Sequence, residues 1–167
     1  MRNFIVIVAV LMLIPAVALA QHGGLGLFTD EYAGNCEVVD NGQGIVNIYV
    51  IHTLVTGSTA VEFAIQPSAG FTATHIGDLV PYLFIGNSQT GIGIGYGECL
   101  SGPINVMTVT YRFDGSSSAC GYLEVVDDPN AFPPGIYHVD CAAPQERQKH
   151  LVQGSKLFVN ADGSCPC

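Results

Sequence analysis

The chain has no tryptophan, only five basic residues against 14 acidic ones, and charged side chains at 11% of its 167 positions. Each shortage excludes something. Without tryptophan there is no indole platform on which a sugar could stack. The seven tyrosines fall in or near strand-like runs, where core or cross-strand packing is the plainer account of them. A formal charge of −9 repels polyanions, which removes nucleic acid and anionic membrane surfaces as partners. The sequence contains no G-x-S-x-G elbow for an activated serine and no paired C-x-x-C spacing for zinc. It also lacks the recurrent amphipathic pattern of about 10 to 15 residues that βαβ units need. No internal repeat or linker divides it.

The N-terminus has the form of a secretion leader. Arg2 precedes an apolar run from Phe4 to Ile14, and Ala18-Leu19-Ala20 gives the small-x-small pattern that a signal peptidase cuts after. The run is short for a membrane span and lacks a basic stop-transfer flank, and no cysteine follows it closely enough for a lipid anchor. Residues 1–20 are therefore expected to be a signal peptide and residues 21–167 one secreted domain, extracellular or periplasmic, with no membrane insertion after processing. Loss of Arg2 leaves four bases against 14 acids, a formal charge of −10. The 147 remaining residues suit a single core.

All six cysteines, Cys36, Cys99, Cys120, Cys141, Cys165 and Cys167, lie in the exported part, where an even number reads as up to three disulfides. Cys99 and Cys120 bracket the stretch ending at Phe113, and a bridge between them is the first expectation. Cys165 and Cys167 flank Pro166 and would point to opposite faces of an extended segment, so each is expected to pair elsewhere, with Cys36 and Cys141 as the remaining partners.

The stretch from Gly86 to Phe113 organises the rest. Every second residue from Gly91 to Gly97 is glycine, alternating with Ile92, Ile94 and Tyr96, so one strand face is bare backbone and the other apolar. Close packing of a neighbour against the bare face is expected. From Ile104 the alternation continues with Met107, Val109, Tyr111 and Phe113 on one side, and the whole reads as two strands joined by a turn. Upstream, Ile45 to Val55 suits a central strand, Thr56-Gly57-Ser58-Thr59 a turn, and Val61, Phe63 and Ile65 a half-buried strand. Phe71 to Ile76, Leu79 to Ile85, Tyr122 to Val126, Ile136 to Cys141 and Lys156 to Asn160 continue the series. Ala142 to Val152 is the one stretch open to a short helix, and Pro144 limits it to about two turns. About nine or ten short strands at intervals of roughly ten residues make an all-β, antiparallel β-sandwich of jelly-roll or Ig-like type, held by disulfides.

Chemistry is sparser. The G-x-G-x-G of Gly91 to Gly95 lies in strand rhythm and opens no helix, so it is no phosphate loop. His52, His75 and His138 fall in or beside strands, where a hydrogen-bonded sheet side chain is the usual role. Asp127, Asp128 and Asn130 form a compact oxygen-rich turn, and Asp114 stands in another acidic loop. Together they are the candidate calcium ligands, since that ion takes six to eight oxygens, partly from loops between strands. A solvated surface turn is the plainer account. No catalytic group and no other cofactor is assigned.

The order of GIVNIYVIHT, TGSTAVEFAI and GPINVMTVTYRF resembles that of cohesin-like and carbohydrate-binding-module-like β-sandwiches of secreted bacterial proteins. The G-I-G-Y-G-x-C segment and the DGSCPC end are similar to those of a group of small secreted bacterial proteins. The resemblance implies a β-sandwich and a binding role, and it assigns no role to any residue. The function expected is a non-catalytic binding or adhesion module at the cell exterior, with carbohydrate or another extracellular protein as partner. Two alternatives stand beside it. One is a structural subunit that assembles through strand edges, with Gly23 to Phe28 as an added strand; the other is an extracellular hydrolase using a carboxylate pair.

Overall fold

Residues 23–165 are described in a computed structural model. The expected leader over residues 1–20 and Cys167 lie outside the described residues. Eleven strands occur among these: β1 (Gly24–Phe28), β2 (Glu37–Val38), β3 (Gly44–Pro67), β4 (Thr74–Leu79), β5 (Leu83–Asn87), β6 (Gly91–Phe113), β7 (Gly121–Val126), β8 (Tyr137–Val139), β9 (Lys149–Leu151), β10 (Gln153–Gly154) and β11 (Lys156–Val159).

Two long strands carry the architecture. β3 and β6 run antiparallel along nearly their whole length, from Gly44 opposite Phe113 to Phe63 opposite Ile92. Register shifts between Val50 and Ala60 bend the pair, so each strand serves both layers of a sandwich. The first halves of β3 and second half of β6 lie between β1 and β4, with β10 outside β1. The second half of β3 and first half of β6 lie between β8 and β5, with β9 outside β8. β7 pairs with the last residues of β3, and β11 and β2 follow it. Alternation decides which side chains fill the space between the layers: Ile92, Ile94 and Tyr96 from one half of β6 and Met107, Val109, Tyr111 and Phe113 from the other are all buried, and the register shift opposite Val50 and Ile51 lets Val106 be buried as well. They join Leu25, Ile48, Phe63, Leu123 and Leu157 in one apolar core.

Several expectations change. Gly86 to Phe113 is not a hairpin in itself; β6 is one strand, and its hairpin partner is β5, joined through Ser88-Gln89-Thr90. Thr56 to Thr59 is no turn but the bend of β3. A Cβ on Gly57 would stand 3.0 Å from the Cys141 sulfur, and the Ser58 and Thr59 hydroxyls donate to the Val139 and Asp140 carbonyls. Ala142 to Val152 forms no helix: the Asp140 carboxylate accepts from the Ala142 and Gln148 amides and curls the loop, after which Lys149–Leu151 pair with β8.

The expected Cys99–Cys120 bridge gives way to Cys99–Cys141 and Cys120–Cys165. The reason is the length of β6. Fourteen strand residues separate Cys99 from Phe113, an extended path of about 45 Å at roughly 3.3 Å each if straight, whereas bridged Cα atoms lie within about 7 Å. Cys99 instead meets β8's C-terminal end at the bend, with a Cα–Cα distance of 5.5 Å to Cys141. Cys36 is disulfide-bonded as well, and no free cysteine occurs among the described residues.

Candidate functional site

The outer face of the β9-β8-β3-β6-β5 layer can be read from its register. Residues directly opposite one another share a face, so Lys149, Val139, Ala60, Gly95 and Leu83 form one row across the five strands. Leu151, Tyr137, Glu62, Gly93 and Ile85 form the next. Gly93 and Gly95 supply no side chain and Ala60 only a methyl group, while Leu83 and Ile85 stand 83% and 84% exposed along β5. The result is a groove of about 570 Å³ with a glycine floor, an aliphatic wall on β5 and a second wall of Tyr137, Val139 and Lys149. A Cβ built on Gly93 or Gly95 would meet nothing within 4 Å. The bare face is therefore open, not packed against a neighbour as expected from the glycine alternation.

The groove has little polarity. Its one ion pair joins Glu62 to Lys149, and the Lys149 ammonium also lies 4.4 Å from the centroid of the Tyr137 ring. Tyr137 is buried beneath it, its hydroxyl donating to the Pro133 carbonyl. Apolar side chains in water on one side of a sheet whose other side is a filled core mark a surface built for contact.

The acidic candidates separate into two places. Asp128 is buried, and its Oδ1 accepts from the backbone amide and the Nδ2 of Asn130, which also donates to the Thr90 carbonyl. This cluster fixes the start of β6: a Cβ on Gly91 would lie 2.1 Å from Asp128 Oδ1, and the φ of +115° there needs glycine in any case. Asp127 is exposed beside it. Asp114 sits in the loop after β6, where its Oδ1 accepts from the amide and hydroxyl of Ser116. Thus Asp128 and Asn130 are brought together, and Asp114 is bonded elsewhere. Among the described residues, the only close group of three acidic, histidine or cysteine ligand atoms is Cys120, Asp162 and Cys165, and its two cysteines form a disulfide.

Other polar residues are arranged for structure. Asp40 is buried at the foot of that same loop and accepts from the amides of Gly42, Gly115 and Ser117. Burial works against its charge, but the bonds from Ser117, Gly115 and Gly42 outweigh it and hold the carboxyl below the usual range. Ser88, His75 and Asp78 meet, though not as a nucleophile and its base. The fully buried Ser88 hydroxyl and the His75 Nε2 both bond to Asp78 Oδ1, so the carboxylate stands between serine and imidazole. Gln89 links this group to Tyr111, whose phenol burial pushes up to about 12. His52 and His138 are buried edge to face at 5.6 Å between centroids, and His150, 5.3 Å from His138, bonds to Asp140. The His150 bond, against some desolvation, holds the Asp140 carboxyl low, aided by the Ala142 and Gln148 amides.

Sequence reasoning singled out Gly93 but missed Leu83, Ile85, Tyr137 and Lys149 as its companions. A partial signal exists for the β5 wall alone: Leu79 to Gly97 carries no charged residue, a property shared with Asn41 to Val61, and nothing local in the sequence joins Tyr137 and Lys149 to that wall.

The fold that presents this groove is an all-β, disulfide-stabilised sandwich of the cohesin-like type. A chain of the CaDoc0917–CaCohA2 complex covers 83% of this chain and 99% of its own length, with a TM-score of 0.55 and 14% identity. The sixth cohesin of scaffoldin B from Acetivibrio cellulolyticus, solved in complex with a Cel5 dockerin mutant, covers 83% and 98% with a TM-score of 0.50 and 12% identity. No family model matches the chain, and no curated protein matches it.

Proposed function

We propose that the protein is a secreted, non-catalytic module that binds another extracellular protein through the groove between β5 and β8. The observation that carries this reading is the open floor of Gly93 and Gly95 under the exposed Leu83 and Ile85. Covering each of those two side chains removes apolar surface worth about 1.5–3 kcal/mol, enough to anchor a partner that offers an apolar ridge. A protein suits the groove better than a sugar does, because its inner aromatic ring, Tyr137, is buried under Lys149 and unavailable for stacking. Both structural neighbours were solved in complex with a protein, CaDoc0917 in one case and a Cel5 dockerin in the other. The disulfides fit an oxidising exterior.

The test is to fill the floor. Gly95→Leu occupies open space, so melting should be preserved while binding is lost. Immobilised wild type and variant are compared for retention of culture-supernatant proteins and dockerin modules, with soluble polysaccharides in parallel. A protein held by wild type and released by Gly95→Leu supports the reading. Equal retention by both chains, or retention of polysaccharide alone, overturns it.

A further inference from the structure

The groove uses one face of β5; its backbone edge is a separate surface. Strands paired on one side only among the described residues are β2, β4, β5, β9 and β10. Exposed strand edges template pairing with further chains, and proteins blunt them with charge, bulges or brevity. Four of the five are blunted in this way. β2 and β10 are two residues long, β9 is three and carries Lys149, and β4 carries Asp78 and a register shift between His75 and Gly77. β5 is five residues, regular in its pairing, without charge or proline, and exposed throughout. Gly23 to Phe28, the segment expected to act as an added strand, is unsuited to the task because β1 is already paired with β3 and β10.

We infer that β5 pairs antiparallel with β5 of a second copy of this chain, joining two five-stranded layers edge to edge about a twofold axis. The occupant follows from charge. A chain of formal charge −9 repels its own copy over most of its surface, whereas β5 and the residues flanking it, Leu79 to Gly97, carry no charge to oppose the approach. A basic foreign segment would be drawn to the acidic loops and not to an uncharged edge. Apolar exposure agrees: among the described residues, five of the eleven large hydrophobic residues that are exposed lie between Ile76 and Ile85, on β4 and β5. An isologous pair satisfies the free amides and carbonyls of both edges at once and covers Phe84, which is 51% exposed. It leaves the glycine floors open and places two grooves side by side.

Sedimentation velocity on the purified protein, from low micromolar to several hundred micromolar, should show monomer passing to dimer. Amide exchange over Leu83–Asn87 should slow as the dimer fills. Phe84→Lys sets two like charges across the axis and should weaken the dimer by about tenfold or more. It does so while making the chain less acidic, which would otherwise favour association. Ile45→Lys, on an exposed site of β3, should leave the dimer intact, as should Gly95→Leu, which separates this pairing from the groove. A single monomeric species at every concentration overturns the inference. So does a dimer indifferent to Phe84→Lys, one lost equally with Ile45→Lys, or one that leaves the β5 amides exchanging at the monomer's rate; the exchange measurement needs no variant.

Discussion

Gly93→Val separates an open glycine row from a packed one. In a strand interior, glycine is weaker than alanine by about 0.5–1 kcal/mol through backbone entropy, and a β-branched residue adds up to roughly 1 kcal/mol of strand preference. Gly93 has no positive φ, and its Cβ would meet nothing within 4 Å, so neither strain nor overlap offsets the gain. The new side chain would instead touch its cross-strand neighbours Glu62 and Ile85. Stabilisation of about 1 kcal/mol is expected, a rise in Tm of about 2–4 °C for a domain of this size. Gly121 is the counterpart: a Cβ there would lie 2.5 Å from the Gly70 carbonyl oxygen, so Gly121→Val should cost several kcal/mol or prevent folding. Thermal melts and urea titrations of the two variants beside wild type provide the readout. A Gly93→Val chain destabilised by more than about 1 kcal/mol would refute the reasoning, because something would then have to occupy the space above the floor.

Two further outcomes are expected. Peptide mapping without reduction should recover Cys99 with Cys141 and Cys120 with Cys165, and the double variant Cys99→Ala, Cys141→Ala should lose about 2–4 kcal/mol; a recovered Cys99–Cys120 peptide would contradict the run of β6 described above. Asp40 has a folded-state carboxyl held below its ordinary range, so its contribution is present above that range and disappears as pH falls through the depressed value. Melting temperatures between neutral and strongly acidic pH should fall less steeply in Asp40→Asn, which should already be weaker at neutral pH by about 1–3 kcal/mol; an unchanged acid slope would show the carboxylate to be of no account.

Some of this fold was legible in the sequence and some was not, for physical reasons. β7 is half-buried, and its alternation of Leu123 and Val125 with Tyr122 and Glu124 was readable because one face meets the core and the other meets water. The bend of β3 was misread as a turn because Gly57 and Ser58 are turn formers by local preference. Their actual tasks, room for a disulfide and a hydroxyl bond to β8, involve residues about 80 positions away. The cysteines misled in the same manner: closeness in sequence suggested Cys99 with Cys120, but an extended strand carries its two ends apart. The groove shows the limit most plainly. Alternating glycine states that a face is bare, yet whether a neighbour covers it depends on which strands lie beside β6, and no periodicity within β6 contains that information.

The sharing of β3 and β6 between both layers has a consequence for how the molecule comes apart. In a sandwich whose layers own separate strands, one layer can loosen while the other persists. Here there is no such seam: melting either layer withdraws half of the two strands on which the other depends, and Cys99–Cys141 ties their common bend to β8. Pairs such as Gly44 with Phe113 also join distant parts of the chain, so the ring of contacts closes late and opens as a unit. Such all-or-none behaviour leaves few half-open forms for a protease to find.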